Sequence, residues 1–256
     1  YRRKIEPVKS PLDFGFYVSF FPQLVAGPIV RASEFIPQLY KPYKLTRAAF
    51  GLGLFWIING LIKKVVLADY IASNFADRVF AQPTLYSGFE CLLALFAYSL
   101  QVYADFSGYT DVAIGVALLM GFTLTKNFNS PYKAINVGDF WKRWHISLSS
   151  WLKDYLYIPL GGNREGSFAS YLIIFISFFV LGIMAESWKV PAFLGICSFI
   201  IFFLTKWISK FRKWLNTNIN LMLTMLLGGL WHGSSWNFVF WGGLNGLGLV
   251  VYKFWK

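Results

Sequence analysis

The chain has 256 residues, enough for one sizeable domain, yet 56% are hydrophobic, 20% aromatic and only 14% charged, against about 25% charged in an average soluble protein. With a mean hydropathy of +0.50, these proportions exclude an ordinary soluble domain and indicate an integral membrane protein, in which uncharged runs of roughly 20 residues become helices because hydrocarbon cannot satisfy free backbone groups. A formal charge of +12 would suggest nucleic acid in a soluble protein, but the basic residues fall in short segments between apolar runs, as the positive-inside rule predicts. No nucleic-acid partner is therefore called for; anionic headgroups or a phosphate-bearing ligand on the basic face stay open.

The opening YRRKIEPVKSPLDFG has neither the apolar core nor the cleavage site of a signal peptide. Because it starts on Tyr1 rather than methionine, the chain reads as a piece of a longer protein. Phe14 to Val30 is apolar but interrupted at Pro22, Gly27 and Pro28, which predicts a re-entrant or interfacial element rather than a straight span. Arg31 to Arg47 reads as a basic surface loop with a short helix from Ser33, whose first turn Glu34 favours. Ala48 to Ile62 is uncharged but short, and Lys63 and Lys64 behind it would snorkel to an interface, giving a tilted or partial span. From Cys91 to Thr125 the only charges are Asp105 and Asp111, within YADFSGYTD. That pattern suggests two helices joined by a turn that carries both carboxylates at the membrane surface. Cys91 and Cys197 stand singly in apolar runs and read as packing residues.

Lys126 to Glu165 forms a long loop. Ser167 to Ala185 and Val190 to Thr205 are uncharged runs joined by the ESWK link at Glu186 to Lys189, which predicts a helical hairpin. The basic segments at its two ends, Lys126 to Arg164 and Lys206 to Lys213, must then lie on one side, which the positive-inside rule makes cytoplasmic. Two more spans are expected over Ile219 to Trp231 and Trp236 to Tyr252. The expected fold is all-α and polytopic, a single membrane-embedded core over residues 1–256. Glycines cluster at Gly161/Gly162, Gly228/Gly229 and Gly242/Gly243, where close helix approach or sharp breaks are expected.

The chain holds two histidines, His145 and His232, each directly preceded by a tryptophan, Trp144 and Trp231. No lysine, arginine or carboxylate occurs from Leu215 to Tyr252, so His232 should lie at or near membrane depth, where an ionisable group is by default functional. The competing reading is a neutral imidazole sharing hydrogen bonds with Ser234, Ser235 or Asn237. An imidazole is a suitable general base for an alcohol. If it takes the proton as the alcohol oxygen attacks an acyl thioester, the leaving thiolate, whose thiol has a pKa near 8.5, needs little acid assistance. Ser234 or Ser235 as nucleophile is the weaker variant. Around His145 lie Lys142, Arg143, Ser147, Ser149, Ser150, Lys153 and Asp154. Helical spacing would put Trp141, Trp144, Leu148 and Trp151 on one face, and His145 with Ser149 on its neighbour. This is either an interfacial tryptophan belt or a wall of the active site, with Lys142 and Arg143 meeting phosphates. The catalytic candidates are His232 and His145. The substrate- and donor-binding candidates are Lys142, Arg143, Trp144, Ser149, Trp151, Asp154, Trp231 and Asn237. Two distant histidines without an acidic cluster make a poor ligand set, so no metal is expected. Asp105 and Asp111 could balance a histidine or bind a sugar hydroxyl, but a surface turn explains them more cheaply.

Four blocks, Phe21 to Leu39, Tyr103 to Phe122, Asn127 to Arg164 and Asn220 to Gly246, resemble the membrane-bound O-acyltransferase family. WHISLSSWL and LGGLWHG are the specific ones, and the branch resembled is that of the bacterial alginate O-acetyltransferase membrane subunit, with the D-alanyl transferase of teichoic acid synthesis more distant. The resemblance implies a multi-helix core of the bacterial cytoplasmic membrane, with the essential histidine at His232 and the second motif histidine at His145. It further implies acetyl-CoA as donor substrate, no bound cofactor, and transfer across the bilayer through extracytoplasmic acetyltransferase partner proteins to a polysaccharide acceptor. Two alternatives are D-alanyl transfer to teichoic acid and a non-enzymatic transporter or scaffold for an acylated intermediate. The chain departs from the family pattern in the hairpin at about 167–209, which reads as an insertion, and in being shorter than the family at both ends.

Overall fold

The computed structural model describes residues 8, 10–24, 26–184 and 188–255. Helix is the only regular structure among them. The chain divides into two compact units: one holds the residues up to Ser130 together with Arg143–Leu148, the other Pro131–Lys142 together with the chain from Ser149 onward.

In the first unit the proline-interrupted entry is broken, as its sequence requires. Helix α1 (Pro11–Ser19) starts with Pro11 in its first turn and Ser10 as cap, the Ser10 hydroxyl accepting the Asp13 amide at 3.3 Å. It gives way to the single turn α2 (Phe21–Leu24) and an irregular segment. The expected short helix is α3 (Ala32–Leu39), with Glu34 in its first turn. Phe20, Val30, Phe35 and Ala117 form a buried cluster on which Phe122 stacks, its ring 5.0 Å from Phe35. The irregular segment is also tied by polar bonds, Thr110 Oγ1 donating to the Ala26 carbonyl (3.1 Å) and the Ile29 amide to Ser147 Oγ (2.9 Å).

Helix α4 (Arg47–Leu61) does not end at the lysine pair. It runs on through π-helical turns, Ile62–Asp69 and Ala72–Ala76, into α5 (Asp77–Ala81), making one apolar stretch Arg47–Ala81. Helix α6 (Gly88–Leu119) is likewise continuous, started by a capping box of Ser87 and Glu90. Both stretches, of 35 and 32 residues, are long and apolar enough to cross a membrane; α9 (Phe168–Met184) is a shorter apolar helix. The expected turn around Asp105 and Asp111 is thus absent, and Lys63 and Lys64 do not reach for an interface. Lys63 Nζ lies 2.6 Å from Asp111 Oδ2, which also accepts from Asn59 Nδ2 at 2.7 Å. Lys64 Nζ lies 2.6 Å from Asp105 Oδ1 and 2.7 Å from Asp69 Oδ1. Four charges that would each end a span when read singly are tolerated mid-helix because they neutralise one another across the helix pair.

The two helices approach closely at glycines spaced seven residues apart on each, Gly53 and Gly60 against Gly115 and Gly108. A Cβ on Gly60 would stand 2.5 Å from the Gly108 carbonyl oxygen, and one on Gly115 would stand 2.6 Å from that of Gly53. This is the small-residue packing by which membrane helices gain contact without a hydrophobic driving force.

A double-mutant cycle on the Asn59-supported ion pair should be strongly non-additive. Asp111→Leu alone leaves Lys63 uncompensated and is expected to cost about 3–5 kcal/mol. Adding Lys63→Leu should recover most of that loss, read as the unfolding free energy of the full-length protein in a bilayer mimetic.

In the second unit, α7 (Val137–Phe140) is capped by Asn136, whose Oδ1 accepts the Asp139 amide at 2.8 Å. The chain from Ser149 carries the end of α8 (Ile146–Leu152) and a π-helical turn, Lys153–Tyr157. Helices α9 and α10 (Lys189–Trp207) form the expected hairpin. Of the ESWK link, Glu186 and Ser187 lie outside the described residues. Helix α11 (Ser209–His232) begins ten residues before its expected start, so Lys210, Arg212 and Lys213 lie on its first turns rather than in a loop. Lysine and arginine are good helix formers, and neither proline nor glycine interrupts this stretch before Gly228. Helix α12 (Trp236–Trp255) packs on α11 through Gly229 and Gly242.

Candidate active site

His145 lies in the first unit, between α7 and α8, and no helix runs through it: its φ is +44°. The expected tryptophan stripe therefore does not exist. Trp144 packs edge-on against Phe128 at 5.1 Å and lies 6.1 Å from Tyr103. Leu148 is buried. Trp141 and Trp151, in the second unit, lie against Trp241 (5.8 Å) and Tyr155 (5.3 Å). The helical face expected to hold both His145 and Ser149 fails for the same reason.

A left-handed backbone is costly for a non-glycine residue and persists only where surroundings over-determine it. Here Asn127 does so. Its backbone carbonyl accepts the Ile146 amide at 2.9 Å. Its side-chain Oδ1 accepts the Ser147 amide (3.1 Å) and hydroxyl (2.9 Å) and lies 3.1 Å from His145 Nδ1. Because that oxygen already receives an N–H, the amide orientation is fixed and His145 Nδ1 is the donor in this contact. The ring is buried, with Phe106 edge-on at 4.6 Å. Arg143 Nη1 donates to the Asn129 carbonyl at 3.3 Å, and the Asn129 amide donates to the Arg143 carbonyl at 2.9 Å. Asn127 was missed in the sequence; its signal was an asparagine at the head of the block NFNSPYK, just before the histidine loop.

His232 lies in the second unit as the last residue of α11. The expected break falls after it, at Gly233, whose backbone is extended, while Gly228 and Gly229 stay helical. Their role is close approach: a Cβ on Gly229 would stand 2.2 Å from the Phe238 carbonyl oxygen, and one on Gly242 would stand 2.3 Å from that of Met225. His232 is exposed, and its neighbours are aromatic: Trp231 edge-on at 4.9 Å, Trp241 edge-on at 5.3 Å and Phe238 at 6.4 Å. Ser235 is engaged otherwise, its Oγ accepting the Asn237 amide at 3.3 Å as α12 begins. Trp241 touches both Trp141 and His232 and so joins the two histidine-bearing sequence blocks within this unit. It was not among the expected site residues.

Lys142 is exposed, its amide donating to the Asp139 carbonyl at 3.1 Å. Ser149 and Asp154 are half-buried on α8 and in the turn after it. Of the expected site residues, the second unit brings Trp231 into contact with His232, and the first brings Arg143, Trp144 and His145 onto one loop around Asn127 and Phe128.

The GGN turn of the second unit is built from one buried asparagine. Asn220 Nδ2 donates to the carbonyls of Gly162 (3.1 Å) and Glu165 (3.0 Å), and its Oδ1 lies 2.9 Å from Ser170 Oγ. Gly161, at φ +119°, is required: a Cβ there would stand 1.7 Å from the Glu165 oxygen. The turn presents Asn163, whose Oδ1 accepts from Tyr157 Oη (2.7 Å) and Lys253 Nζ (3.2 Å). Burial pushes the Tyr157 phenol pKa up, so it stays a donor at neutral pH.

A family model for membrane-bound O-acyltransferases matches residues 8–210. The chain belongs to the membrane-bound O-acyltransferase family. It is 42% identical over 244 residues to a peptidoglycan O-acetyltransferase of Helicobacter pylori, a match covering 94% of this chain and 37% of that protein. It is 37% identical over 252 residues to a probable alginate O-acetylase of Azotobacter vinelandii, covering 98% and 40%. A teichoic acid D-alanyltransferase of Bacillus subtilis is 27% identical over 248 residues, covering 94% and 51%. The chain thus spans about two fifths of the length of the first two relatives and half of the third. His145 lies inside the matched family segment and His232 beyond it.

Proposed function

We propose that this chain is the core of a membrane O-acyltransferase that moves an acyl group, acetyl in the first instance, from a thioester donor such as acetyl-CoA to a hydroxyl of a cell-envelope glycan. The observation that carries it is His232: an accessible imidazole at a helix end, edge-on to Trp231 and Trp241 and beside Phe238, on a chain of this family. The exposed ring is open to a substrate hydroxyl, and an imidazole is the usual general base for such a proton.

In this reading the His232 imidazole takes the proton of the acceptor hydroxyl as its oxygen attacks the thioester carbonyl. The new C–O bond forms, the C–S bond breaks, and the thiolate leaves and takes a proton from the imidazolium. No covalent acyl-enzyme is needed. His145, fixed in a strained turn by Asn127, is a second functional candidate of the first unit.

Two O-acetylating relatives at 42% and 37% identity favour acetyl and glycan over D-alanyl transfer. In this reading the chain sits in the bacterial cytoplasmic membrane, with its basic segments on the cytoplasmic face and extracytoplasmic acetyltransferases as partners. The test uses membranes carrying the full-length protein, supplied with acetyl-labelled CoA. Release of free CoA together with label in envelope glycan is expected; label appearing without CoA release would overturn the reading.

A further inference from the structure

Among the described residues, only two that are not glycine carry a left-handed backbone, Ser130 (φ +47°) and His145 (φ +44°). Both belong to one pair of loops of the first unit, where the Ile146 amide donates to the Asn127 carbonyl and the Asn129 amide to the Arg143 carbonyl, each at 2.9 Å. Such strain gathers at functional sites, and a glycine at position 145 would carry the same backbone at less cost. What a glycine would not supply is the imidazole. Its Nδ1 lies 3.1 Å from Asn127 Oδ1, an oxygen that also takes the Ser147 amide (3.1 Å) and hydroxyl (2.9 Å). Asn127 is 1% exposed, so bulk water does not compete for that oxygen. Ser147 Oγ in turn accepts the Ile29 amide at 2.9 Å, and Phe106 of α6 stands edge-on to the imidazole at 4.6 Å. The entry segment, α6 and both loops thus converge on one buried group of side chains.

We propose that Asn127 is a positioning residue of the acyl transfer and acts through His145. With Asn127 Oδ1 committed to accept, the imidazole donates through Nδ1, and Nε2 is the nitrogen that accepts a hydrogen bond from a substrate hydroxyl. Which nitrogen of a histidine carries the proton is set by the bond that the other nitrogen makes. Asn127 thereby fixes both the tautomer and the direction of the ring, and a misplacement of about 1 Å at a reacting centre can cost ~10²-fold in rate. The assignment rests on the acyltransferase reading above. Asn127 Nδ2 is buried without a hydrogen-bond partner, so exchanging that nitrogen for oxygen breaks no bond, whereas loss of Oδ1 breaks three. The two ends of this side chain are therefore separable by mutation: Asn127→Asp keeps the acceptor and Asn127→Leu removes it. Ser147→Ala takes away the partner of the Ile29 amide and one bond of Oδ1 but leaves the imidazole contact in place.

The test uses the full-length protein in phosphatidylcholine bilayers, with isotope-labelled histidine read by solid-state nitrogen NMR at mildly alkaline pH. The signal of position 145 is identified by its loss in His145→Gln. Wild type, Asn127→Asp and Ser147→Ala should all show a protonated Nδ1 there, with Nε2 unprotonated in wild type. Asn127→Leu should lose this signature and release CoA from acetyl-CoA at least about tenfold more slowly per inserted protein. Asn127→Asp should recover most of that rate, and Ser147→Ala should lose less of it than Asn127→Leu. The proposal is overturned if wild-type His145 carries its proton on Nε2 alone, or if Asn127→Leu keeps either the signature or the rate. It is equally overturned if Ser147→Ala lowers the rate as far as Asn127→Leu, which would make the asparagine a support of the loop only. Where Asn127→Leu does not insert, Asn127→Asp decides by itself: signature and rate both kept support the proposal, and either one lost overturns it. A wild type that keeps the signature but releases no CoA would sink the acyltransferase reading, while the hold of Asn127 on His145 would stand on the nitrogen spectrum alone.

Discussion

His232→Ala is expected to lower release of CoA from acetyl-CoA by about 10²–10⁴-fold, the range over which a positioned general base contributes, with the full-length protein still inserted. The asymmetry between the two readouts follows from the structure. The side chain is exposed at a helix end, and its contacts are aromatic edges that survive without it, Trp231 and Trp241 among them. Truncation there removes no buried packing and should shift unfolding by no more than about 0.5 kcal/mol. A comparable loss of protein and of activity would make His232 structural and remove the base from the mechanism. Trp241→Ala should act differently, because it opens the contact with Trp141 as well: an activity loss accompanied by reduced stability is expected.

Gly60→Leu should damage the packing of α4 on α6 severely, costing at least about 3 kcal/mol, the upper range for overpacking. The first atom a Cβ meets there is the Gly108 carbonyl oxygen at 2.5 Å, followed by Val112 Cγ2 at 2.8 Å and the Val112 amide nitrogen at 2.9 Å. Backbone cannot swing aside as a flexible side chain can, so α4 and α6 must separate. Separation would also lengthen the Lys63–Asp111 and Asn59–Asp111 contacts, now 2.6 and 2.7 Å. Gly51→Leu is the matched control. It lies on the same helix with nothing within 4 Å of its Cβ position, so it should be neutral within about 0.5 kcal/mol. Equal behaviour of the two variants, measured by unfolding in detergent, would show that the two helices do not meet at these glycines.

The parts of the fold that were legible in the sequence are those set by local chemistry. Pro22 and Pro28 break the entry segment, Glu34 marks the first turn of α3, and the uncharged runs give α9, α10 and α12 to within a few residues. What was not legible depends on partners far away in the chain. Asp105 and Asp111 look like a surface turn until Lys64 and Lys63, some forty to fifty residues earlier, supply their counter-charges. The signal was present as two matching seven-residue glycine spacings, 53 and 60 against 108 and 115, but only pairing gives them meaning. The site divides in the same way. His145 and His232 stood out by rarity in an oily chain, whereas Asn127 and Trp241 were ordinary residues whose importance lies in what they touch. The assumption of one helix through Trp141 to Trp151 failed because spacing cannot reveal a left-handed residue at position 145.

The stretch Arg47–Ala81 would be about 52 Å long at 1.5 Å per residue, well beyond the ~30 Å of bilayer hydrocarbon, and Lys64 stands at its midpoint. Released singly from the insertion machinery, it would bring Lys63 into the lipid phase with no counter-charge and Lys64 with Asp69 alone, and the helix that follows would offer two bare carboxylates. Biogenesis should therefore hold the first of the pair back until the second emerges, so that both partition laterally as a preassembled hairpin rather than in succession.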